Sequence, residues 1–314
     1  MEYLDICLHQ AIKSYNLSIN KFEIEFSPII IGTMRLGDWG SNLSTDELET
    51  FIDVCIDLGF KDFDHADIYG HYTDEERFGR VIKRRPDLKS KIQNTTKCGI
   101  KLTTPNRPAH QLKSYDTSKE HIIWSAENSL NELGVDVLDV FLIHRPDYLM
   151  NPHEIAEAFM SLKDAGKVKA FGVSNFSASQ FELLNTLTPL VTNQLEISLL
   201  QRNAFDDGTL DQCLLHGIRP TAWSPFGGGA IFSEQRSPEI ARIKKVATVL
   251  GEKHNATIDQ VLIAFLLKHP AMIIPIYGSS KISRIKSIKG ALEVNLSHED
   301  WYHLWEAAIG NEVA

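Results

Sequence analysis

Four side chains in the sequence are of the types that move protons, and each stands at or just beyond the end of a predicted strand: Asp64, Tyr69, Lys97 and His144. A phenol has a reference pKa of about 10, which makes it a weak acid at neutral pH. A lysine ammonium about 4 Å away would lower the pKa of Tyr69 by up to about three, and burial would oppose that change. We therefore expect Tyr69 to be a general acid whose pKa is tuned by Lys97.

The other two groups have supporting roles in this interpretation. Asp64 would keep Lys97 charged and in place, and His144 would donate a hydrogen bond that orients and polarises a carbonyl oxygen. Taken alone, Asp64 could equally be a structural carboxylate that pairs with any base. Lys97 is harder to explain structurally, because an unpaired ammonium inside a barrel is costly.

The elements that position these residues alternate along the chain between short β-branched runs and longer amphipathic stretches. The strands are predicted at 28–32, 60–64, 91–97, 137–144, 168–173, 191–196, 219–224 and 271–277, each followed by a helix. Such alternation predicts a parallel sheet that is buried on both faces. Eight units favour an α/β fold of the (β/α)8 TIM-barrel type, in which function lies at the C-terminal ends of the strands.

An open nucleotide-binding sheet is the alternative, and it should carry G-x-G-x-x-G after its first strand. The corresponding turn, from Gly32 to Gly37, does not have this spacing. We assign residues 25–314 to the barrel, with an extra helix at its C-terminus. Residues 1–24 are assigned to an N-terminal helical extension that caps the bottom of the barrel.

Composition and charge exclude several classes of protein. The 314 residues are 43% hydrophobic and carry 32 basic against 41 acidic side chains, a net charge of -9. This balance argues against nucleic-acid binding and against anionic membrane surfaces. The four cysteines show no zinc-ligand spacing, so no metal site is expected. The N-terminus is acidic where a signal peptide would be basic, which predicts a cytoplasmic protein.

Six motifs occur in the same order and at the same spacing as in a known family. They are Asp64-x-Ala66-x-x-Tyr69-Gly70, Lys97, Leu142-Ile143-His144-Arg145-Pro146, Gly172-Val173-Ser174-Asn175-Phe176, Asn193-Gln194-x-Glu196 and Trp223-Ser224-Pro225. On these motifs the chain resembles the aldo-keto reductase superfamily over about residues 25–310. It looks most similar to a bacterial short-loop branch of NADP-dependent oxidoreductases.

The resemblance implies a function and a set of binding residues. It implies reduction of aldehydes, ketones or quinones with NADPH, by a protein that is by default a monomer. The cofactor-binding residues that it implies are Thr33, Met34, Ser174, Asn175, Gln194, Trp223, Ser224, Phe226, Gly227, Gly278, Ser279, Ser280, Lys281 and Arg284. Arg284 matches the position that holds the 2′-phosphate, and Trp39 and Tyr148 are candidate substrate residues.

The chain departs from the family pattern after Arg284, where Ser287-Ile288 replaces the Glu-Asn pair that grips adenine in many members. Two other functions stay open. One is an NADPH-binding regulatory subunit with little turnover, since some members of the superfamily control a partner protein. The other is a sugar-phosphate isomerase or a glycosidase, which would need paired strand-end carboxylates. Only Asp64, Asp67 and Glu196 lie near such positions.

Overall fold

Eight short parallel strands close into a barrel in this computed structural model, which describes residues 24–233 and 237–314. Ten strands lie in the described residues: β1 (Ile30–Gly32), β2 (Asp62–Asp64), β3 (Gln93–Cys98), β4 (Ile100–Lys101), β5 (Ser114–Tyr115), β6 (Leu138–Ile143), β7 (Val168–Ser174), β8 (Asn193–Glu196), β9 (Thr221–Trp223) and β10 (Ile274–Tyr277). The barrel order is β1-β10-β9-β8-β7-β6-β3-β2, and β1 pairs with both β10 and β2. The predicted (β/α)8 barrel is confirmed.

Helices surround the barrel and connect its strands. They are α1 (Thr45–Asp57), α2 (Asp74–Arg84), α3 (Lys119–Leu133), α4 (Pro152–Asp164), α5 (Ala178–Asn185), α6 (Asn203–Asp206), α7 (Thr209–His216), α8 (Pro238–His254), α9 (Ile258–Leu267), α10 (Ile282–Ile288) and α11 (His298–Ile309). Capping boxes are formed at Ser44 and at Ser177. Each serine hydroxyl accepts from a backbone N–H, and this fixes where α1 and α5 begin.

The strand side chains alternate between two environments. Val140 and Leu142 of β6 face the barrel interior, in a small cluster that Ile24 and Phe26 cover. Phe141 and Ile143 face outward into the large core between barrel and helices. Lys97 pairs in register with Leu142 and so faces inward, whereas its neighbour Cys98 pairs with Ile143. The register thus places one lysine inside the barrel.

Two further elements lie near the C-terminal ends of the strands. The segment after β3 contains the antiparallel hairpin of β4 and β5, in which Ile100 pairs with Tyr115. The helix α10 ends at Ile288, and a 3-10 turn follows over Lys289–Glu293. The extra C-terminal helix is present as α11. The predicted N-terminal extension lies outside the described residues, apart from residue 24.

No helix in residues 24–233 and 237–314 is long and apolar enough to cross a membrane. The same residues contain no group of three or more histidine, cysteine, aspartate or glutamate side chains that could hold a metal ion.

Candidate active site

A tight turn after β2 displays Tyr69 at the C-terminal end of the barrel. The chain forms a 3-10 turn over Tyr69–His71, and Gly70, His71 and Tyr72 all have positive φ. A Cβ atom at Gly70 would lie 2.1 Å from Oδ1 of Asp74, so only glycine fits between the turn and the start of α2. The backbone conformation required after Tyr69 therefore explains the glycine in the motif.

Behind Tyr69, Lys97 and Asp64 form a buried ion pair. Nζ of Lys97 is 2.8 Å from Oδ2 of Asp64 and also donates to the carbonyl oxygen of His65 at 2.5 Å. The side chain of Lys97 has 0% exposure. Burial acts to lower the pKa of Lys97, but the charge of Asp64, the neighbouring Tyr69 and the hydrogen bonds to both together outweigh it, so the pKa of Lys97 is raised. Lys97 is thus a permanently charged ammonium inside the barrel.

The third proton of Lys97 is directed at Tyr69, whose hydroxyl oxygen lies 3.4 Å from Nζ. An ammonium group can only donate, so the Tyr69 oxygen must accept this hydrogen bond. The phenolic proton of Tyr69 is then left free to be donated elsewhere. This arrangement is what a proton donor requires.

The sequence predicts that Lys97 lowers the pKa of Tyr69 below its usual value, and this prediction is wrong. Burial raises the pKa of Tyr69, and the charge of Lys97 opposes the rise without reversing it. Asp64 cancels part of the effect of the ammonium because it lies directly behind it. Tyr69 is therefore a neutral phenol at physiological pH.

His144 follows β6 and faces Tyr69 across the site, with the two ring centroids 6.1 Å apart at an angle of 79°. Burial lowers the pKa of His144 well below its usual value, and the positive charges of Lys97, Arg145 and Lys113 lower it further. His144 is therefore neutral, with one ring nitrogen that donates and one that accepts. A neutral imidazole can orient an oxygen atom but does not compete with Tyr69 as the acid.

Tyr69 and His144 open into a cavity of about 1030 Å³ at the C-terminal ends of the strands. This volume is at the upper end of the range of about 300–1,000 Å³ that is usual for ligand sites. The predicted site residues that line it are Met34, Trp39, Asp64, Tyr69, His144, Ser174, Asn175, Gln194, Trp223, Ser224, Phe226, Gly278, Ser279 and Arg284. The ring of Trp39 lies 6.1 Å from that of Tyr69.

One wall of the cavity is a hydrogen-bonded row from β7 to β9. The Nδ2 of Asn175 donates to Oγ of Ser174 at 2.6 Å, and Nε1 of Trp223 donates to Oδ1 of Asn175 at 3.1 Å. Asn175 has a positive φ of 59°, which asparagine tolerates better than most residues. These bonds hold the indole ring of Trp223 in a fixed orientation beside the cavity.

The loop after β9 lines the cavity, and two of its lining residues are glycines. Gly228 and Gly229 have φ values of 65° and 97°, and no atom lies within 4 Å of a Cβ built on either. Both line the cavity, whereas Gly227 packs against Leu200. The loop therefore leaves open space next to its backbone, into which a ligand can approach closely.

Five predicted binding residues do not line this cavity: Thr33, Tyr148, Gly227, Ser280 and Lys281. The hydroxyl of Thr33 donates to the carbonyl oxygen of Asp64 and is also 3.1 Å from Nδ1 of His65. Tyr148 is 93% exposed, because the chain after Pro146 turns outward. Lys97 is likewise absent from the lining, because it lies behind Tyr69.

Several lining residues were missed by the sequence analysis. They include Arg35, Leu102, Lys113, Tyr115, Arg145, Asp259 and Tyr277. Arg145 was within a recognised motif and directly follows His144, so its position was a signal. Lys113 and Tyr115 are brought in by the β4–β5 hairpin, which has strands of only two residues and no periodic pattern.

Comparison with known proteins agrees with this architecture. The model of the aldo/keto reductase family matches residues 28–309. The chain is 44% identical over 293 residues to the uncharacterized oxidoreductase YcsN of Bacillus subtilis (strain 168), covering 93% of this chain and 97% of that protein. It is 39% identical over 294 residues to a 6-dehydroglucose reductase of Agrobacterium fabrum, again covering 93% and 97%.

A solved structure of similar fold is that of Tm1743, a thermostable aldo-keto reductase in complex with the inhibitor epalrestat. It superimposes with a TM-score of 0.77 at 24% identity, covering 91% of this chain and 97% of that one. The family match spans the whole barrel and all four residues of the proton-donating site. The chain therefore belongs to the aldo/keto reductase family.

Proposed function

We propose that the protein is an NADPH-dependent reductase that converts aldehydes, ketones or quinones to alcohols. The observation that supports this best is the alignment of Asp64, Lys97 and Tyr69, which leaves the Tyr69 proton directed away from Lys97. Tyr69 and His144 line the same cavity. A carbonyl oxygen placed there would meet a proton donor and a neutral imidazole.

The residues of this chain would then act as follows. His144 donates a hydrogen bond that positions and polarises the carbonyl oxygen. Tyr69 gives its proton to that oxygen as negative charge develops on it, and Lys97 stabilises the phenolate that results. Asp64 keeps Lys97 in place, and solvent later returns a proton to Tyr69. When bound, reduced nicotinamide supplies the hydride that adds to the carbonyl carbon.

The residues present fit a dinucleotide cofactor. Ser174, Asn175 and Trp223 would hold the nicotinamide end, close to Tyr69. The open backbone of Gly228 and Gly229 would allow the diphosphate to approach. At the other end of the cavity, Arg284 offers a cation to a 2′-phosphate, which favours NADPH over NADH.

The adenine end differs from the common family pattern. Ser287 lines the cavity, but Ile288 is fully buried in the core and offers nothing to a ligand. Adenine would therefore be held by packing rather than by a Glu-Asn pair, and we expect a correspondingly greater dependence on Arg284.

The substrate is an aldehyde in our proposal, since relatives are named as 6-dehydroglucose reductases in two organisms. Trp39 and Ile100 would form the apolar wall against it.

The proposed function is tested by measuring the loss of NADPH absorbance with a panel of aromatic aldehydes, sugar aldehydes, α-dicarbonyls and quinones. NADH is run in parallel. We expect turnover with NADPH and formation of the alcohol. Tight binding of NADPH without turnover on any member of the panel would instead support the regulatory-subunit alternative, and absence of binding would contradict both.

A further inference from the structure

We propose that Arg145 and Lys113 form an anion subsite beside His144, and that the preferred substrates are carbonyl compounds that carry a carboxylate or phosphate group. This inference rests on the proposed reductase function and specifies its substrate class. It is drawn from two cationic side chains that line the same cavity as Tyr69 and His144 and that form no ion pair among the described residues.

Arg145 directly follows His144 at the end of β6 and is half-buried. Its guanidinium carbon lies 5.2 Å from the centroid of the Trp223 ring. That ring is itself held by Asn175, so the guanidinium rests on a fixed platform. Arg145 forms no ion pair within the described part of the chain, whereas Lys97 pairs with Asp64 and Arg202 pairs with Glu239.

Lys113 also lines the cavity, and it is the residue that precedes β5. It also has no acidic partner in residues 24–233 and 237–314, although the nearby Lys101 pairs with Asp116. The charges of Lys113 and Arg145 both act on His144 and contribute to its lowered pKa. The two cations are therefore close enough to the imidazole to act on a substrate bound against it.

The carboxylates near this part of the cavity offset these charges only in part. Oδ1 and Oδ2 of Asp64 are occupied by Gln194 and Lys97. Glu196 influences Arg145 but does not line the cavity. Asp259 does line it, but on α9 beside Tyr277, with Arg284 close by. A chain of net charge -9 thus places two cations that form no ion pair among the described residues in the cavity that Tyr69 lines.

Such a pair of cations favours an oxygen anion on the ligand. A guanidinium that is partly removed from water and unpaired is costly, and a carboxylate or phosphate would satisfy it with charge-assisted hydrogen bonds. A neutral substrate would leave both cations unpaired. We expect this difference to favour an anionic aldehyde over its neutral counterpart by about 10- to 100-fold in kcat/KM.

The test uses two matched pairs of aldehydes with NADPH as the reductant. The first pair is succinic semialdehyde and its methyl ester, and the second is glyceraldehyde 3-phosphate and glyceraldehyde. The ratio of kcat/KM for the anionic to the neutral member is measured in each pair. The pair with the larger ratio identifies carboxylate or phosphate as the preferred group.

Three variants define the origin of the ratio. In Arg145→Gln and in Lys113→Gln the ratio should fall towards one. Lys113 is exposed, so its replacement is not expected to disturb folding. Arg80→Gln removes the same charge from the exposed side of α2, far from the cavity, and should keep the wild-type ratio.

The outcomes separate this inference from the proposed function. A wild-type ratio near one, or a ratio that Arg145→Gln and Lys113→Gln both leave unchanged, would overturn the anion subsite while the reductase stands. If Arg145→Gln and Lys113→Gln lower kcat/KM for glyceraldehyde as much as for glyceraldehyde 3-phosphate, the anion subsite is also overturned. The cations would then be binding hydroxyl groups. No reduction of any carbonyl compound would remove the proposed function and this inference together.

Discussion

The side-chain amide of Gln194 donates a 2.8 Å hydrogen bond to Oδ1 of Asp64, joining β8 to β2 across the barrel. Oδ2 of the same carboxylate lies 2.8 Å from Nζ of Lys97. Both oxygens of Asp64 are therefore held, and the geometry behind Tyr69 depends on three strands. The sequence analysis had assigned Gln194 to the cofactor, and the structure gives it this additional partner.

Replacement of Gln194 tests that support. Gln194→Leu leaves a buried carboxylate oxygen without a donor, which costs about 1–3 kcal/mol of unfolding free energy. We expect that loss in urea denaturation, together with a lower kcat, since Asp64 would be free to move. A variant as stable as the wild type would contradict the role of Gln194 in holding Asp64.

Removal of Lys97 should have a larger effect on stability. Lys97→Met leaves Asp64 as an unpaired charge inside the barrel, and breaking a buried ion pair in this way costs about 3–5 kcal/mol. The double variant Lys97→Met/Asp64→Asn should recover a large part of that stability without recovering activity. Urea denaturation of the three variants measures this, and a double variant no more stable than Lys97→Met would argue against the pairing.

Glu75 should make stability depend on pH. Its carboxylate is buried between Thr96 and Ser129, and burial raises its pKa from 4.5 to about 7. The pKa of Glu75 is higher in the folded state than in the unfolded state. Its contribution to the free energy of unfolding is therefore fully present below about pH 4.5 and is lost as the pH rises through about 7.

The variant Glu75→Gln keeps the shape of the side chain but cannot titrate. We expect the wild type to lose a few kcal/mol relative to Glu75→Gln between pH 5 and pH 8, measured by urea denaturation at both values. Parallel curves for the two proteins across this range would show that Glu75 does not titrate there.

Cofactor preference should depend on Arg284. A hydrogen bond to a charged group is worth about 1.5–3 kcal/mol, so Arg284→Met should raise the KM for NADPH by roughly 10- to 100-fold. The KM for NADH should change little, because NADH has no 2′-phosphate. Lys245→Met, an exposed replacement on α8, serves as the control. Equal losses for both cofactors would indicate that Arg284 does not distinguish them.

The barrel and the convergence of Tyr69, Lys97 and His144 could be predicted from the sequence for a physical reason. Strand-helix alternation is a local pattern, and in a barrel every strand end faces the same side, so Tyr69, Lys97 and His144 had to converge. The motif spacing added the order in which they occur. The capping boxes at Ser44 and Ser177 were predictable for the same reason, because each is complete within four residues.

The features that the sequence did not predict depend on three-dimensional contacts rather than on residue patterns. The pKa of Tyr69 is raised because burial outweighs the charge of Lys97, which is already paired with Asp64. The spacing of these residues in the sequence does not show which effect is larger. Lys113 enters through a hairpin too short to have a periodicity. Tyr148 seemed close to His144 along the chain, yet the turn after Pro146 takes it to the surface.

The most direct test of the central claim is the kcat of Tyr69→Phe with NADPH and an aldehyde reduced by the wild type. Loss of a general acid costs about 10²–10⁴-fold in rate. We predict a fall in kcat within that range, with NADPH affinity and thermal stability close to those of the wild type. A Tyr69→Phe variant that retains the wild-type kcat would contradict Tyr69 as the proton donor.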